Sequence, residues 1–315
     1  MRIKILGSAA GGGFPQWNCG CRNCRGLRDK SLHATPRTQT QIAFSPDSKL
    51  WFLVGASPDL RSQILGFPAL SPTAGPSASD RPRSPLAGVF LPSADVDSVM
   101  GLLHLREFQS FFIFSTAGLQ RIFKKENKIF SVVDRADPPV RWQTLSSKGR
   151  LGCHLSESPG EAPAFVCSSF PLGGAYPHYV SEELRRTLPP EEASIGLVFE
   201  QRGKALFVAP CVSGTNSQWT KAAASSDLTL IDGTFWSDDE LIRTGRSKRT
   251  GRDMGHLPLS GPAGLLAQFP AHATGRRVLI HINNTNPVLD EDSPEHRAVL
   301  DAGFEIAYDG MEFEL

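Results

Sequence analysis

The chain has 315 residues, 40% of them apolar and 21% charged, with 33 Lys and Arg against 32 Asp and Glu. This near-neutral balance excludes a global field that would recruit nucleic acid or an anionic membrane, and the length suits one large α/β domain or two small ones. No apolar run approaches the ~20 residues of a membrane span, and the N-terminal apolar core is too short for a secretion signal. Three closely spaced cysteines favour metal over disulfides, so we expect a cytoplasmic protein without membrane insertion.

The first half of the chain contains short apolar runs separated by turn residues, which is the pattern of strands. The runs at 41–45 and 50–54 flank the turn 46–48 and predict a hairpin. Helical stretches follow later strands. The elements predicted in this half are strands at 3–6, 41–45, 50–54 and 86–91, and helices at 60–65, 101–107 and 118–125.

The second half repeats this alternation, and its runs at 195–200 and 205–210 predict a second hairpin around the turn 202–204. Its predicted elements are strands at 195–200, 205–210, 227–232 and 277–282, and helices at 264–269 and 294–301. Segments 71–85 and 149–163 are rich in Pro, Ser or Gly and predict flexible surface loops. Neither loop is long enough to divide the chain, so we expect one domain over residues 1–315. Strand pairs and helices in both halves indicate two mixed sheets packed together, with helices outside.

The most specific local signal is the cluster Cys19, Cys21 and Cys24. Three thiols within six residues can converge on one ion, and Gly20 relieves the tight backbone between them. Thiolate ligands favour zinc in tetrahedral geometry, so the cluster predicts a structural zinc site whose fourth ligand the sequence does not identify. A redox cluster or three free thiols are the alternatives.

Carboxylate and imidazole side chains follow several of the predicted strands. Asp95 and Asp97 come directly after the run at 86–91, and Asp59, Asp232 and His281 occupy equivalent strand-end positions. Because ligand sites in α/β sheets lie at the carboxyl ends of strands, we expect these side chains to form an oxygen and nitrogen cage for iron, manganese or zinc. Ordinary helix caps and turns are the alternative for each residue taken alone.

Other candidate residues lie near the end of the chain. His256 is predicted to open a helix through 261–262 and to act as an acid or as a donor to an anionic group. Arg249 and Arg252 belong to a cationic run that we expect to hold substrate carboxylates through paired N–H donors. Asn283 and Asn284 follow a strand end and are predicted to line the binding pocket. A backbone-satisfied histidine and a solvated cationic surface are the alternatives.

Eight long segments of the chain are recognisable as motifs. They are LGSAAGGGFPQWNCGCRNC at 6–24, PRTQTQIAFSPD at 36–47, ASPDLRSQ at 56–63, GLLHLRE at 101–107, LIDGTFWSDDEL at 230–241, RTGRDMGHL at 249–257, LIHINNTNPVLDEDSPE at 279–295 and YDGMEFEL at 308–315. These segments resemble the pyrroloquinoline quinone (PQQ) biosynthesis protein B family, PqqB. The resemblance implies the αββα sandwich of the metallo-β-lactamase superfamily, with Cys19, Cys21 and Cys24 as structural zinc ligands.

The family resemblance also implies an activity, which is iron- and oxygen-dependent hydroxylation of the tyrosine in a Glu-Tyr-derived PQQ precursor. Family members read Asp-His where this chain reads Asp97-Ser98, and that pair together with His281 resembles an iron ligand set. The serine removes one imidazole, so we expect weaker Fe(II) binding, or replacement of the lost ligand by Asp95 or Asp232.

Two other functions stay open from the sequence. A non-catalytic carrier of PQQ or its precursor would keep the fold and the structural zinc without a working second centre. A phosphodiesterase-like hydrolase would need two metal ions and a bridging water. The expected partners in all three cases are the precursor, PQQ itself or other proteins of the pathway.

Overall fold

A computed structural model describes residues 1–73, 83–155 and 162–315. Fourteen strands form two seven-stranded sheets, ordered β14-β1-β2-β3-β4-β5-β6 and β13-β12-β11-β10-β9-β8-β7. In chain order the strands are β1 (Arg2–Gly7), β2 (Gln41–Ser45), β3 (Trp51–Val54), β4 (Leu86–Phe90), β5 (Phe112–Thr116), β6 (Arg141–Leu145), β7 (Gly149–Cys153), β8 (Phe165–Pro171), β9 (Ile195–Gln201), β10 (Lys204–Ala209), β11 (Leu228–Asp232), β12 (Arg276–Ile280), β13 (Glu305–Ile306) and β14 (Glu312–Glu314).

Both sheets are mixed. In the first, β3, β4, β5 and β6 run parallel, whereas β14, β1, β2 and β3 are antiparallel neighbours. In the second, β10, β11, β12 and β13 run parallel, and β7, β8, β9 and β10 are antiparallel neighbours. The carboxyl ends of several parallel strands therefore meet at one edge of the molecule, where ligand sites of α/β proteins lie.

The helices are short and lie outside the two sheets. None of the helices in the described part of the chain is long and apolar enough to cross a membrane. They are α1 (Arg22–Arg28), α2 (Leu60–Leu65), α3 (Val96–Val99), α4 (Ala117–Arg121), α5 (Glu182–Arg185), α6 (Ser217–Ser225), α7 (Glu240–Arg243), α8 (Leu265–Gln268) and α9 (Pro294–Asp301).

Alternation of side chains along the strands produces three apolar layers. Between the sheets, Phe44 of β2 packs on Phe199 of β9 with ring centroids 4.3 Å apart. The outer face of the first sheet is covered by α2, α4 and α5, and the outer face of the second by α1, α6, α8 and α9. This arrangement is the αββα sandwich that the sequence predicts.

Several element predictions are confirmed and several need correction. The two hairpins form as expected, β2 with β3 and β9 with β10, and α9 has its predicted bounds. The helix predicted at 101–107 begins earlier, as α3 followed by a 3-10 helix over Met100–Leu105. The predicted helix after His256 is wrong, because that segment is irregular and follows a short 3-10 turn over Arg252–Met254.

The loop predictions are only partly testable. Residues 74–82 of the predicted loop 71–85 and residues 156–161 of the predicted loop 149–163 lie outside the described residues. The second segment begins with strand β7, which pairs antiparallel with β8 and so is not a loose loop. Its sequence, GRLGC, carries two glycines and one arginine, which conceals the strand because glycine is depleted in strands.

Candidate functional site

The side chains predicted at strand ends converge at one edge of the sandwich. Asp232 is the last residue of β11, His281 directly follows β12, and Asp97 lies in the turn and helix after β4. His281 Nε2 lies 2.8 Å from Asp97 Oδ2, which joins the two sheets through a pair that spans 184 residues of sequence. We call the group Asp95, Asp97, Cys211, Asp232, His256 and His281 the strand-end centre.

The orientation of His281 depends on an unusual backbone. Its φ is +58°, in the left-handed region that a non-glycine residue adopts only where surrounding contacts enforce it. The Thr234 hydroxyl supplies two such contacts, lying 2.8 Å from His281 Nδ1 and donating to the His281 carbonyl at 2.9 Å. These contacts leave Nε2 directed at Asp97. Burial alone would lower the pKa of His281, but the hydrogen bond and charge of Asp97 raise it above its ordinary value.

A second acid–imidazole pair lies beside the first. Asp232 is fully buried, and its Oδ2 accepts from the Val212 amide at 2.8 Å and lies 2.8 Å from His256 Nδ1. Although burial opposes ionisation, the charge of His256 and its hydrogen bond hold the pKa of Asp232 below the ordinary value. The imidazoles of His256 and His281 are stacked with centroids 5.2 Å apart. The two pairs therefore form one continuous network.

Asp95 and Asp97 differ in their surroundings. Asp95 Oδ2 accepts from the Ser93 hydroxyl at 2.8 Å, and burial followed by the nearby charge of Asp97 raises its pKa. For Asp97, burial raises the pKa, but His281 outweighs burial and keeps the pKa below its ordinary value. Ser98 lines a small cavity with Asp97 and His281, so the position that carries an imidazole in the resembling family faces the centre here as a hydroxyl.

Sequence reasoning missed Cys211. This residue lies two positions after the end of β10, and its sulfur and ring nitrogens of His256 and His281 all lie within 4.8 Å of one another. Burial, followed by the charges of Asp95, Asp232 and Asp97, raises the pKa of the Cys211 thiol. The strand-end rule that identified Asp232 and His281 applies equally to Cys211. It was overlooked because the sequence VAPC carries no recognisable motif.

The strand-end centre forms the floor of a cleft of about 710 Å³. Its walls combine apolar side chains with amides and a glycine turn, so they suit a small organic molecule. Asp59, predicted as a supporting ligand, does not line the cleft but accepts from the backbone and side-chain amides of Gln39 at 2.9 and 3.1 Å. The lining residues that bear on function are Gly11, Gly12, Gln16, Gln39, His178, Tyr179, Phe235, Leu241, Met254 and Asn283.

The predicted cationic residues lie elsewhere. Arg249 donates to the Asp253 carbonyl, and Arg252 donates to the Ala263 carbonyl at 2.8 Å, so both guanidinium groups bind the backbone of their own loop region. Neither arginine lines the cleft. The structure also contains a wider groove of about 1080 Å³ at the opposite ends of the strands, whose lining includes several charged residues. Both metal-type clusters found among the described residues lie outside this groove.

The three clustered cysteines have the geometry of a metal site. Their sulfurs lie within 4.8 Å of one another, and the backbone amides of Cys21 and Cys24 each donate to a preceding sulfur at 3.4 Å. Burial opposes ionisation of Cys19, but hydrogen bonds from Cys21 hold its pKa below the ordinary value, whereas burial raises the pKa of Cys24 to about 11. We call this group the cysteine site.

Asn284 belongs to the cysteine site and does not line the cleft. Its side-chain amide lies 3.1 Å from Cys19 Sγ, 3.7 Å from Cys21 Sγ and 3.3 Å from Cys24 Sγ, and the residue is buried. Because the amide oxygen and nitrogen exchange places on a half-turn of the side chain, the same position can direct an oxygen at an ion held by the three sulfurs. Asn284 is thus a candidate for the fourth ligand that the sequence left unidentified.

The donors of the two sites suit different ions. Three sulfurs at the cysteine site suit zinc. At the strand-end centre, one carboxylate, one or two imidazoles and a thiol suit a divalent transition ion. A two-histidine, one-carboxylate set for iron would use Asp97, His281 and the Nε2 atom of His256, whose Nδ1 atom can stay on Asp232. Besides holding an ion, the Asp232–His256 pair can accept or release a proton at the floor of the cleft.

Comparisons with known proteins agree with this fold and cover the whole chain. A family model described as a beta-lactamase superfamily domain matches residues 50–282. Coenzyme PQQ synthesis protein B of Azotobacter vinelandii is 39% identical over 317 residues, covering 100% of both proteins. The protein of the same name from Pseudomonas fluorescens is 40% identical over 317 residues with the same coverage.

Solved structures extend the comparison. The crystal structure of Zn(2+)-bound PqqB from Methylobacterium extorquens has a TM-score of 0.87 and 37% identity, covering 100% of both chains. A diphosphatase from the PhnP family has a TM-score of 0.62 at 14% identity, covering 100% of this chain and 97% of its own. That likeness shows a shared fold alone.

Proposed function

The chain belongs to the coenzyme PQQ synthesis protein B family of the beta-lactamase superfamily, and from this premise we propose that it acts in PQQ biosynthesis on a tyrosine-derived precursor. The observation that carries the proposal is the cleft whose floor is the strand-end centre. Catalytic sites combine a concave pocket with converging titratable side chains, and this cleft has both.

The cleft walls offer complementary surfaces to such a precursor. Phe235, Leu241 and Met254 provide an apolar wall on which an aromatic ring can pack. Gln16 and Gln39 provide amide donors for carboxylates, and Asp59 fixes the side chain of Gln39. A volume of about 710 Å³ lies within the ordinary range for small-molecule sites.

The reaction we propose is hydroxylation of the tyrosine ring of the precursor, in which one atom of O₂ enters the ring and an external two-electron reductant converts the other atom to water. A divalent ion such as Fe(II), held by Asp97 and His281, would supply the binding and activation of O₂ when bound. His256 lies at the cleft floor with its Nδ1 on Asp232. In this proposal, His256 accepts the proton of the phenol and Asp232 stabilises the resulting imidazolium.

A carrier of PQQ or its precursor is the second candidate, and one observation favours it. Ser93 donates to Asp95, and Ser98 lines a small cavity with Asp97 and His281, so two hydroxyls stand where a catalytic iron site would profit from imidazoles. A carrier would bind the same ligand in the same cleft without turnover. A phosphodiesterase-like hydrolase is less well supported, because it needs a second ion and a bridging water beside this reduced set of donors.

Oxygen consumption separates these functions. The purified protein is loaded with Fe(II) under anaerobic conditions and then mixed with a Glu-Tyr-containing peptide, a two-electron reductant such as ascorbate, and oxygen. We expect oxygen uptake and a peptide heavier by one oxygen atom. Asp97→Asn should lower the rate at least about tenfold, because it weakens the charge that holds the ion. The matched control Asp239→Asn removes an exposed carboxylate of an ion pair with Arg243 and should leave the rate unchanged.

Two other results would decide against hydroxylation. Binding of the peptide or of PQQ without oxygen uptake, and without any loss in Asp97→Asn, would support the carrier. Cleavage of a phosphodiester substrate with two ions at the strand-end centre would support the hydrolase. Metal analysis of the same samples gives the number of ions per chain in each case.

A further inference from the structure

Cys211 has no part in the proposed reaction, yet its thiol lies at the strand-end centre. We propose that Cys211, with Asp97 and His281, forms a sulfur-containing metal site that selects a zinc-type ion over Fe(II). This assignment uses a residue that neither the family resemblance nor the hydroxylase proposal requires. It rests on the contacts of the centre and not on the identity of the reaction.

The geometry allows the three side chains to share one ion. The Cys211 sulfur and ring nitrogens of His256 and His281 lie within 4.8 Å of one another, and His281 Nε2 is 2.8 Å from Asp97 Oδ2. In a tetrahedral zinc site, sulfur and nitrogen ligands lie about 3.5 Å apart, which follows from Zn–S of about 2.3 Å and Zn–N of about 2.0 Å. The observed upper limit of 4.8 Å is therefore compatible with a shared ion.

The thiol has an environment that a bound cation would satisfy. Among the residues that the structure describes, the Cys211 sulfur has no hydrogen-bond partner. The charges closest to it belong to Asp95, Asp232 and Asp97. The centre therefore combines three carboxylates with a thiol and two imidazoles. A divalent cation would balance the negative charge of this set and bind its lone pairs.

Cys211 also replaces the donor missing at Ser98. A neutral hydroxyl is a poor ligand, and Ser98 and Pro210 line the same small cavity beside Asp97 and His281. Cys211, the next residue after Pro210, lines the cleft together with Asp97 and His281, so a thiol is available to the same pair of ligands. Thiolate is a soft ligand that favours zinc, whereas oxygenase iron sites use imidazole and carboxylate. The exchange of donor type thus changes which ion the centre prefers.

His256 is not a ligand in this proposal. Its Nδ1 stays on Asp232 at 2.8 Å, and the residue lines the cleft next to the ion. Because Asp97, Cys211 and His281 all line the cleft, a four-coordinate ion held by these three residues would have one position left for water or a bound molecule. An open fourth position distinguishes this centre from the closed cysteine site.

Anaerobic titration with Co(II) tests the proposal without any measurement of activity. Co(II) is a spectroscopic substitute for zinc, and thiolate ligation produces an intense near-ultraviolet charge-transfer band. We expect the full chain to bind two Co(II) equivalents, each adding to that band. Cys211→Ser should weaken the second equivalent at least about tenfold and remove its share of the band. Cys153→Ala, a cysteine buried between the sheets, is the matched control and should keep both.

The two cobalt sites are separated by a second variant. Cys21→Ser should lose the equivalent at the cysteine site and keep the band that depends on Cys211. If Cys21→Ser does not fold, the comparison of wild type with Cys211→Ser remains decisive, because Cys211→Ser leaves the cysteine site intact. Full charge-transfer intensity for two equivalents in Cys211→Ser would overturn the proposal, and so would binding of only one Co(II) by the wild type. Neither result depends on oxygen uptake. The hydroxylase proposal is tested separately, because its assay supplies Fe(II) alone and does not measure which ion the centre prefers.

Discussion

The cysteine site and the strand-end centre are built in opposite ways. Three sulfur donors of the cysteine site come from six consecutive residues, Cys19 to Cys24, and the helix start at Cys21 arranges them locally. The strand-end centre takes its donors from the ends of β4, β10, β11 and β12, in both sheets. A local site keeps its geometry as long as one loop folds, whereas the strand-end centre depends on the packing of the whole sandwich.

One turn nevertheless joins the two regions. His281 belongs to the strand-end centre, and Asn284, three residues later, contacts all three sulfurs of the cysteine site. Glu240 contacts this turn, since its carboxylate accepts from the Thr285 hydroxyl and from the Trp236 amide. A change at the cysteine site can therefore reach His281 through the backbone.

The largest effect should come from breaking the local site. Cys21→Ser should release one zinc per chain and lower the free energy of unfolding by at least about 4 kcal/mol, because loss of a structural metal removes its binding free energy from folding. Metal analysis and thermal unfolding measure both effects, with Cys153→Ala as the control for loss of a thiol that lies outside both metal-type clusters. Stoichiometric zinc at the cysteine site in Cys21→Ser would contradict the assignment.

Glu240, which contacts the turn between the two regions, should make the free energy of unfolding depend on pH. Burial raises the pKa of Glu240 to about 7 from the ordinary 4.5. Between these values the folded protein keeps a proton that the unfolded chain has lost, so stability should fall as pH rises from about 4.5 to 7, by up to about 3 kcal/mol. Glu240→Gln should flatten this slope in denaturant unfolding. An unchanged slope in Glu240→Gln would assign the pH dependence to other groups.

An imidazole at position 98 should raise the Fe(II) affinity of the strand-end centre without affecting the cysteine site. Ser98→His places nitrogen beside Asp97 and His281, so Fe(II) affinity of the strand-end centre should rise about tenfold or more. The cysteine site should keep its zinc. Anaerobic Fe(II) titration measures the change, and Ser93→Ala, which removes a hydroxyl that serves Asp95, is the control. No gain of iron in Ser98→His would show that the surrounding donors, Cys211 among them, already determine the ion.

The smallest effect should come from the cationic run. Because Arg249 and Arg252 bind backbone carbonyls and do not line the cleft, replacing both by Gln should change precursor or PQQ affinity by less than about threefold, the size expected of screened surface charges. Isothermal titration at low and high salt measures it. A loss of tenfold or more that disappears at high salt would restore the sequence-based role of these arginines.

The sequence predicts features that depend on nearby residues better than features that depend on the packing of distant ones. The clustering of the three cysteines and the strand-end positions of Asp97, Asp232 and His281 could be predicted, because short spacing and strand periodicity are local signals. The pairings could not, since Asp97 meets His281 only through the contact of two sheets. Likewise, Asn284 lies at the cysteine site and not in the cleft because of the direction of one turn. Sequence periodicity does not predict the direction of a turn.

Missed strands show the same limit. β6 and β14 carry charged or polar residues at most positions and are only partly buried, so apolar patterning does not reveal them. They form because neighbouring strands offer unpaired backbone groups at the sheet edges. Cys211 could not be identified for a related reason. Its place in the strand-end centre depends on Asp232 at the end of β11 and His281 after β12, which are distant in the sequence.

Anomalous diffraction from crystals grown with zinc tests the central claim most directly, because it locates each ion without reference to activity. The account predicts two zinc peaks per chain, one among Cys19, Cys21, Cys24 and Asn284, and one among Asp97, Cys211 and His281. Data above and below the zinc edge identify the element at each position. A single peak at the cysteine site, with Cys211 directed away from an ion-free Asp97–His281 pair, would contradict the claim that the strand ends form a metal centre.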